Sequence, residues 1–256
     1  MSLPLALLLS SALAGLALWK RALMPVGTLL AWAMCLAICR IGAMPAFLIL
    51  AVTFLATVAA DRLAGKRADP RGLRRKSGRR DAVRVLCNVG VGTVMILLYG
   101  VTGAPRLILA YAAVMAESLS DSLASKLGPL VKGKTVDICS FHEVGVGLSG
   151  GVSGAGSAAA ALGAILIGVL CLLFPGADEK VALLVAAIGF LGCLFDSVLG
   201  SRIQVKYRCP ACGALTERDR HCDVPGKVER GWRWVNNDTV NLLSNLFVAV
   251  LAILVF

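Results

Sequence analysis

The long apolar stretches of this 256-residue sequence lack the alternation of polar and apolar residues that transmembrane β-strands show. They are continuous instead, and 58% of all residues are hydrophobic, against roughly 45–50% in a soluble domain. The net charge is +11, but the sequence lacks the basic and aromatic surface pattern of nucleic-acid-binding proteins. No nucleic-acid partner is therefore expected. No cleavable signal is expected either, because no basic region precedes the first apolar run. What remains is an all-α, polytopic transmembrane helical bundle.

Eight apolar stretches approach the length of about 20 residues that a transmembrane helix needs. They are 3–19, 22–39, 41–60, 82–101, 105–124, 153–174, 181–200 and 239–256. The chain then divides into N-terminal helices (1–60), a basic loop (61–81) and a catalytic transmembrane core (82–256). This core includes a Cys-rich loop at 201–236. The first two stretches form either two spans or one tilted or re-entrant unit.

Basic residues are concentrated in three loops, at 62–80, 126–134 and 202–233. With eight spans these loops fall on one side, which the positive-inside rule makes cytoplasmic, or stromal in a plastid. Both termini are then expected on the opposite side. Two interpretations of 62–80 remain open. The run sets topology and contacts anionic lipid, or it docks a nucleotide or phosphorylated substrate.

Three carboxylates, Asp121, Asp196 and Asp238, lie near the ends of separate apolar stretches. A carboxylate at that depth is costly unless it binds a metal, pairs with a cation or works in a wet cavity. Two carboxylates repel each other unless a cation intervenes, and magnesium with a nucleotide suits oxygen ligands. The alternative is hydrogen bonding between helices, which we favour for Ser125, Ser244 and Asn245.

A glycine-rich stretch, 145–156, precedes the sixth apolar run. Glycine allows backbone N–H groups to approach an anion, and a helix N-terminus adds positive potential, so phosphate binding is expected. Close helix packing by small residues is the alternative. The stretch is not a Walker motif, since no Gly-Lys-Ser/Thr follows it.

The loop after the seventh run contains Cys209, Cys212, His221 and Cys222. Thiolate and imidazole suit tetrahedral zinc, so a structural zinc knuckle is one interpretation. Free reduced thiols and a disulfide are the other two. His142 is a single loop histidine, for which a surface or hydrogen-bonding role is expected.

Six motifs, ordered along the chain, resemble one family of integral membrane proteins. They are 85–90, 121–128, 147–153, 196–200, 204–209 and 237–241. The family includes plant phytyl-phosphate kinase and is more distantly similar to the CTP-dependent polyprenol and dolichol kinases. These share an Asp-x-x-Ala-x-x-x-Gly pattern, here Asp121, Ala124 and Gly128. The resemblance covers about residues 30–256.

The resemblance implies phosphoryl transfer from a nucleoside triphosphate, with CTP favoured, to a prenyl monophosphate such as phytyl or geranylgeranyl phosphate. Magnesium would be bound by Asp121, Asp196 and Asp238. Asn88 and Asn241 would orient the phosphate or the metal, and Arg84 and Lys126 would neutralise the charge of the acceptor or of the developing phosphoryl group. The donor phosphates would be held at Gly147, Gly150, Gly151, Ser153 and Gln204. The prenyl tail would lie between helices.

Two other functions remain open. A polyprenol kinase would act on a neutral alcohol and would need a general base, expected at Asp121 or Glu117. A non-enzymatic transporter would favour inverted repeats and charges at the midplane. No clear repeat is present and the charges gather at one end of the helices, which argues against a transporter.

Overall fold

The computed structural model describes residues 1–65 and 82–256, so the basic run at 66–81 lies outside the described residues. The helices are α1 (Leu3–Trp19), α2 (Pro25–Ala64), α3 (Ala82–Val85), α4 (Val91–Thr102), α5 (Pro105–Leu127), α6 (Gly154–Cys171), α7 (Glu179–Arg202) and α8 (Asn237–Val255). A π-helical turn, Leu86–Gly90, joins α3 and α4 into one rod. Six membrane-length apolar helices are found in the described ranges, which confirms the predicted helical membrane bundle.

The longest helix, α2, is broken at Ala43, whose φ of 56° and ψ of −157° are not helical. Cys35 from before the break lines one cavity together with Leu50 and Phe54 from after it. The two halves therefore pack side by side, and the predicted stretches 22–39 and 41–60 lie on either side of the break. With the short apolar helix α1, the helical segments agree with the predicted count of about eight.

The centre of the bundle is α5, which packs against α2, α4, α6, α7 and α8. The most apolar stretch of α5 is 67% buried, whereas the corresponding stretches of the other membrane-length helices among the described residues are at most 44% buried. The Tyr111 hydroxyl is fully buried and donates to the Ala46 carbonyl oxygen at 2.7 Å. Side chains on every face of α5 therefore meet protein, and its polar residues face neighbouring helices rather than lipid.

Close approach of α7 to α5 depends on two glycines. A Cβ added at Gly189 would lie 2.4 Å from Ala116 Cβ, and one at Gly192 would lie 2.7 Å from Glu117 Cγ. Only a residue without a side chain fits at these distances. The contact brings Asp196, one turn further along α7, to the level of Glu117.

Short strands occupy two of the segments that connect helices, the one between α5 and α6 and the one between α7 and α8. In the first, β1 (Val136–Asp137) pairs antiparallel with β2 (Gly151–Val152). Strand β2 belongs to the glycine loop, which we define as residues 145–153. The second segment, residues 203–235, is called here the ribbon lobe. Its strands are β3 (Lys206–Arg208), β4 (Leu215–Thr216), β5 (Arg220–His221), β6 (Val224–Pro225) and β7 (Lys227–Arg230). They form a three-stranded sheet ordered β4-β3-β7 and a β5-β6 hairpin.

Candidate functional site

A polar cavity of about 750 Å³ lies between α5, the glycine loop and α7. Its lining includes two of the three predicted carboxylates, Asp121 and Asp196, and also Asn237 at the start of α8. All four predicted phosphate-binding residues of the loop line it as well: Gly147, Gly150, Gly151 and Ser153. Acidic and backbone N–H groups, predicted from separate stretches of sequence, therefore meet in one cavity.

The glycine loop is shaped by its glycines. Gly150 has a φ of +84°, and a Cβ added there would lie 2.6 Å from Ser201 Cα, so this position admits only glycine. The Ser153 side chain accepts a hydrogen bond from the Gly156 N–H at 3.2 Å and so caps α6. The N-terminal residues Gly156 and Ser157 of α6 line the polar cavity. The positive end of this helix therefore faces the cavity, as expected for an anion site.

Below the cavity, Ser244 of α8 bridges two buried carboxylates. Its Oγ lies 2.7 Å from Glu117 Oε1 and 3.3 Å from Asp196 Oδ2. Glu117 is 1% exposed and Asp196 is 7% exposed. A hydroxyl has one proton, so it can satisfy only one of the two carboxylates at a time. A cation or a further proton would stabilise this pair.

The π-helical turn Leu86–Gly90 faces the same region and presents backbone carbonyls to α5 and α8. The Asn245 side chain donates to the Cys87 carbonyl oxygen at 2.9 Å, and the Ser118 Oγ donates to that of Asn88, also at 2.9 Å. The Asn88 amide lies 3.3 Å from that of Asn241. Widened π-helical turns are frequent at functional sites because they redirect side chains. Here the turn brings the side chains of Asn88 and Asn241 together.

Asp238, the third predicted metal ligand, is paired differently. Its Oδ1 lies 3.3 Å from Arg84 Nε, and it is not among the described lining residues of the polar cavity. Its neighbour Asn237 is, so the first turn of α8 separates the two environments. The structure thus brings Asp121 and Asp196 together and sets Asp238 beside Arg84.

Arg84 and Asn88 also line a second, apolar cavity of about 800 Å³ between α1, α2, the π-helical turn and α5. Its apolar wall includes Leu13, Leu50, Phe54, Val89 and Met115. The hydroxyls of Thr53 and Thr57 each donate to a carbonyl of their own helix, at 2.8 and 2.7 Å. Since these polar groups are already satisfied, the wall behaves as apolar surface with a basic residue at one end.

Two further residues of the predicted site, Lys126 and Gln204, also lie outside the polar cavity. Lys126 forms an ion pair with Asp61 of α2, with Nζ 2.6 Å from Oδ1. Gln204 follows α7, is 2% exposed and is not among the described residues that line the cavity. His142 is exposed on the loop before the glycine stretch, consistent with a surface role.

Sequence reasoning assigned no role to three residues at the site: Lys206 lies within the motif 204–209, and Asp137 and Glu217 lie outside the six motifs. In the ribbon lobe, Lys206 Nζ donates to the Ser149 carbonyl oxygen at 2.5 Å, and Glu217 Oε1 accepts from the Ser149 N–H at 2.7 Å. Burial and the nearby Arg230 lower the pKa of Lys206 to about 8. Both sides of one glycine-loop peptide are therefore held by the lobe.

Asp137 of β1 links the same elements. Burial opposes its ionisation, but hydrogen bonds from the Ser140 N–H, the Ser201 hydroxyl and the Cys139 N–H hold its pKa below the usual range. Its Oδ2 lies 3.6 Å from Arg230 of β7. An ionised carboxylate thus ties the glycine loop, the end of α7 and the ribbon lobe together.

The ribbon lobe also gathers the predicted Cys/His set. The ligand atoms of Cys209, Cys212, His221 and Cys222 all lie within 4.8 Å of one another. Cys209 is 1% exposed, while Cys212 and Cys222 are exposed. Such a group can hold a metal ion, so the predicted clustering of these four side chains is confirmed.

A family model described as "Integral membrane protein DUF92" matches residues 8–249, nearly the whole chain. The chain belongs to this family. An uncharacterized membrane protein of Methanocaldococcus jannaschii is 27% identical over 190 residues, which are 72% of this chain and 68% of the relative. "Protein PGR" of Arabidopsis thaliana is 28% identical over 205 residues, which are 69% of each chain. No solved structure matches. The membrane-family resemblance is confirmed, whereas the distant likeness to polyprenol and dolichol kinases stays a prediction.

Proposed function

We propose that this membrane protein is a kinase that transfers a phosphoryl group from a nucleoside triphosphate, with CTP favoured, to a prenyl monophosphate. The proposal rests on the position of the two cavities, which approach each other at α5 and at the first turn of α8. On α5, Asp121 lines the polar cavity and the next residue, Ser122, lines the apolar one. On α8, Asn237 lines the polar cavity, and Asp238 pairs with Arg84 of the apolar one.

The polar cavity suits the donor. The glycine loop and the N-terminus of α6 line it, and the positive potential of a helix N-terminus favours a polyphosphate. In phosphoryl transfer most of the protein's work is alignment and charge stabilisation, which these groups supply.

Magnesium fits the carboxylates that line this cavity. Asp121 and Asp196 offer oxygen ligands, and magnesium is usually bound through one or two carboxylates together with substrate phosphates. When bound, the ion would neutralise charge on the transferred phosphoryl group. Ser244 and Asn241 would orient the Asp196 carboxylate from its other side. Asp238 is assigned a different role, which is to position Arg84.

The apolar cavity suits the acceptor. Its wall of Leu, Phe and Met side chains would bury a prenyl tail at bilayer depth, at about 25 cal/mol per Å² of apolar surface. Arg84 and Asn88 at its polar end would bind the acceptor phosphate. An acceptor that is already a phosphate needs little or no deprotonation. The basic loops would face the cytoplasm or stroma, where nucleoside triphosphates are available.

A polyprenol kinase is the second candidate, and one observation favours it. Glu117 is buried one turn before Asp121 on α5, beside Ser118, and Ser118 lines the apolar cavity. A buried carboxylate near the acceptor could serve as the general base that a neutral alcohol requires.

The test compares acceptors and donors with purified protein in detergent. Geranylgeranyl monophosphate, phytyl monophosphate and the corresponding alcohols are each incubated with magnesium and CTP, ATP, GTP or UTP, and the lipid products are separated. Diphosphate formed from a monophosphate supports the proposal. Monophosphate formed only from the alcohol replaces it with the polyprenol kinase. No product with any pair, from protein that elutes as a single folded species, overturns both.

A further inference from the structure

The Cys/His cluster has the dimensions of an occupied metal site although its ligands come from two separate turns. Cys212 Sγ lies 3.4 Å from His221 Nδ1, and Cys222 Sγ lies 3.3 Å from the same nitrogen. Around tetrahedral zinc, the bond lengths give edges of about 3.6 Å between sulfur and nitrogen and about 3.8 Å between two sulfurs. The two observed sulfur–nitrogen separations are close to the first of these edges.

The backbone on both sides of the cluster is shaped for metal binding. In the first turn the Gly213 N–H donates to the Cys209 carbonyl at 2.9 Å, and Gly213 has a φ of +70°. In the second turn, the end of the β5-β6 hairpin, Cys222 and Asp223 adopt φ values of 52° and 60°. Positive φ at both residues is the geometry of a two-residue type I′ hairpin turn between the paired residues His221 and Val224. This turn places Cys222 Sγ 3.3 Å from His221 Nδ1.

The cluster is connected to the glycine loop through the ribbon sheet. Cys209 directly follows β3, which begins with Lys206, and Glu217 directly follows β4, which pairs with β3. Lys206 and Glu217 hold the carbonyl oxygen and the N–H of Ser149. The turn that joins β3 to β4 contains Cys212. Closing this turn on a metal would therefore hold both contacts to Ser149 in place.

We infer that Cys209, Cys212, His221 and Cys222 bind one structural Zn²⁺ ion and that this ion orders the glycine loop through Lys206 and Glu217. Three thiolates and one imidazole fill a tetrahedral zinc shell and leave no open position for chemistry. The inference holds whether or not the polar cavity takes a nucleotide. Ordering of the loop is a property of the ribbon lobe itself.

The first measurement is the zinc content of the full-length protein purified in detergent without added metal. About one zinc ion per chain is expected, because the four ligands form one closed shell. Cys212→Ser should lower the zinc content at least about tenfold, since loss of one of four ligands opens the shell. Cys139→Ser is the matched control, because Cys139 lies in the other loop and is not a ligand, and it should retain the ion. Zinc-free wild type, or a disulfide within the set, would overturn the inference.

The second measurement is amide hydrogen exchange across the glycine loop before and after zinc is removed with a chelator. The Ser149 N–H is protected by Glu217, so removal of zinc should raise exchange in the peptide that contains Ser149 severalfold and leave the core of α5 unchanged. Glu217→Gln should raise exchange at Ser149 while zinc stays bound. Unchanged loop exchange after complete loss of zinc would overturn the link between the ion and the glycine loop.

Discussion

Arg84 and Asp238 are 154 residues apart in sequence, and Arg84 Nε lies 3.3 Å from Asp238 Oδ1. The pair fastens the helix that contains the π-helical turn to the first turn of α8. Both side chains are partly buried, with exposures of 27% and 19%. An acidic residue in the first turn of a helix is also favoured by the helix dipole, so Asp238 is well placed to orient Arg84.

The first prediction concerns this arginine. Arg84→Gln should raise the KM for the prenyl monophosphate about tenfold to a hundredfold, since a hydrogen bond to a charged group contributes about 1.5–3 kcal/mol. The KM for the nucleotide should change little, because Arg84 lines the apolar cavity. Arg106→Gln, at the start of α5, is the control and should behave as wild type. A rise in the nucleotide KM alone would place the acceptor phosphate elsewhere.

The second prediction uses two glycines of one segment. Gly150→Ala should destabilise the glycine loop by more than about 1 kcal/mol and lower activity, because its φ is positive and its Cβ would meet the Ser201 backbone. Gly154→Ala, four residues on, has nothing within 4 Å of the added Cβ and should remain active. Thermal unfolding and turnover of the two variants are compared with wild type. Equal effects in both would contradict a specific role for the shape of the loop at Gly150.

The third prediction concerns the carboxylates bridged by Ser244. Ser244→Ala should lower the free energy of unfolding by about 1–3 kcal/mol, since it removes the buried hydroxyl that lies 2.7 Å from Glu117 Oε1 and 3.3 Å from Asp196 Oδ2. Thr102→Ala removes an exposed hydroxyl that bonds within its own helix and should cost about 0.5 kcal/mol or less. Unfolding in detergent measures both. A neutral Ser244→Ala variant would show that the hydroxyl does not hold the carboxylates.

The fourth prediction is a pH dependence that arises from Lys206. Burial lowers its pKa in the folded protein to about 8, from an ordinary value of 10.5. Between these two values the unfolded chain retains a proton that the folded protein has released, so stability rises with pH in this window. Below it, Lys206 is charged in both states and the folded protein bears the cost of burying that charge.

The difference in melting temperature between wild type and Lys206→Met should therefore shift in favour of wild type from about pH 8 to about pH 10. Using the difference removes the contribution of other titrating groups. Lys227→Met, an exposed lysine of the same lobe, is the control and should show no such trend. A difference that is flat, or that falls with pH, would contradict a buried Lys206 with a lowered pKa.

The fifth prediction tests orientation. Lys132→Cys lies in a loop predicted to face the cytoplasm, and Lys180→Cys lies on the opposite side of the bundle by the span count. In inside-out vesicles an impermeant maleimide should add one label to Lys132→Cys, relative to wild type, and none to Lys180→Cys. The reverse pattern would invert the predicted topology.

The apolar helices follow from the sequence because burial in lipid demands long continuous apolar runs. The glycine loop and its helix were also predictable, since glycine density and the following apolar run are local signals. The gathering of Cys209, Cys212, His221 and Cys222 followed from their spacing. These features depend on residues that are near one another in the chain.

Contacts between distant segments were not predictable in the same way. Three aspartates at equal depth predicted one shared site, but Asp238 turns to Arg84, which its sequence position does not reveal. Lys126 likewise pairs with Asp61, a residue on another helix. Ser149 is held by Lys206 and Glu217, and no sequence signal predicted either contact. The break at Ala43 is a further example, since a single alanine with positive φ is imposed by packing.

The most direct test of the proposed reaction is transfer of a radiolabelled γ-phosphate from CTP to geranylgeranyl monophosphate by wild type, Asp121→Asn and Asp178→Asn. Asp178 caps α7 on the far side of the bundle and serves as the control. The proposed reaction predicts labelled diphosphate with wild type and Asp178→Asn. It predicts at least about a hundredfold less with Asp121→Asn, as expected when about 2.7 kcal/mol of transition-state stabilisation is lost. Unlabelled lipid from folded wild-type protein, or full labelling by Asp121→Asn, would contradict it.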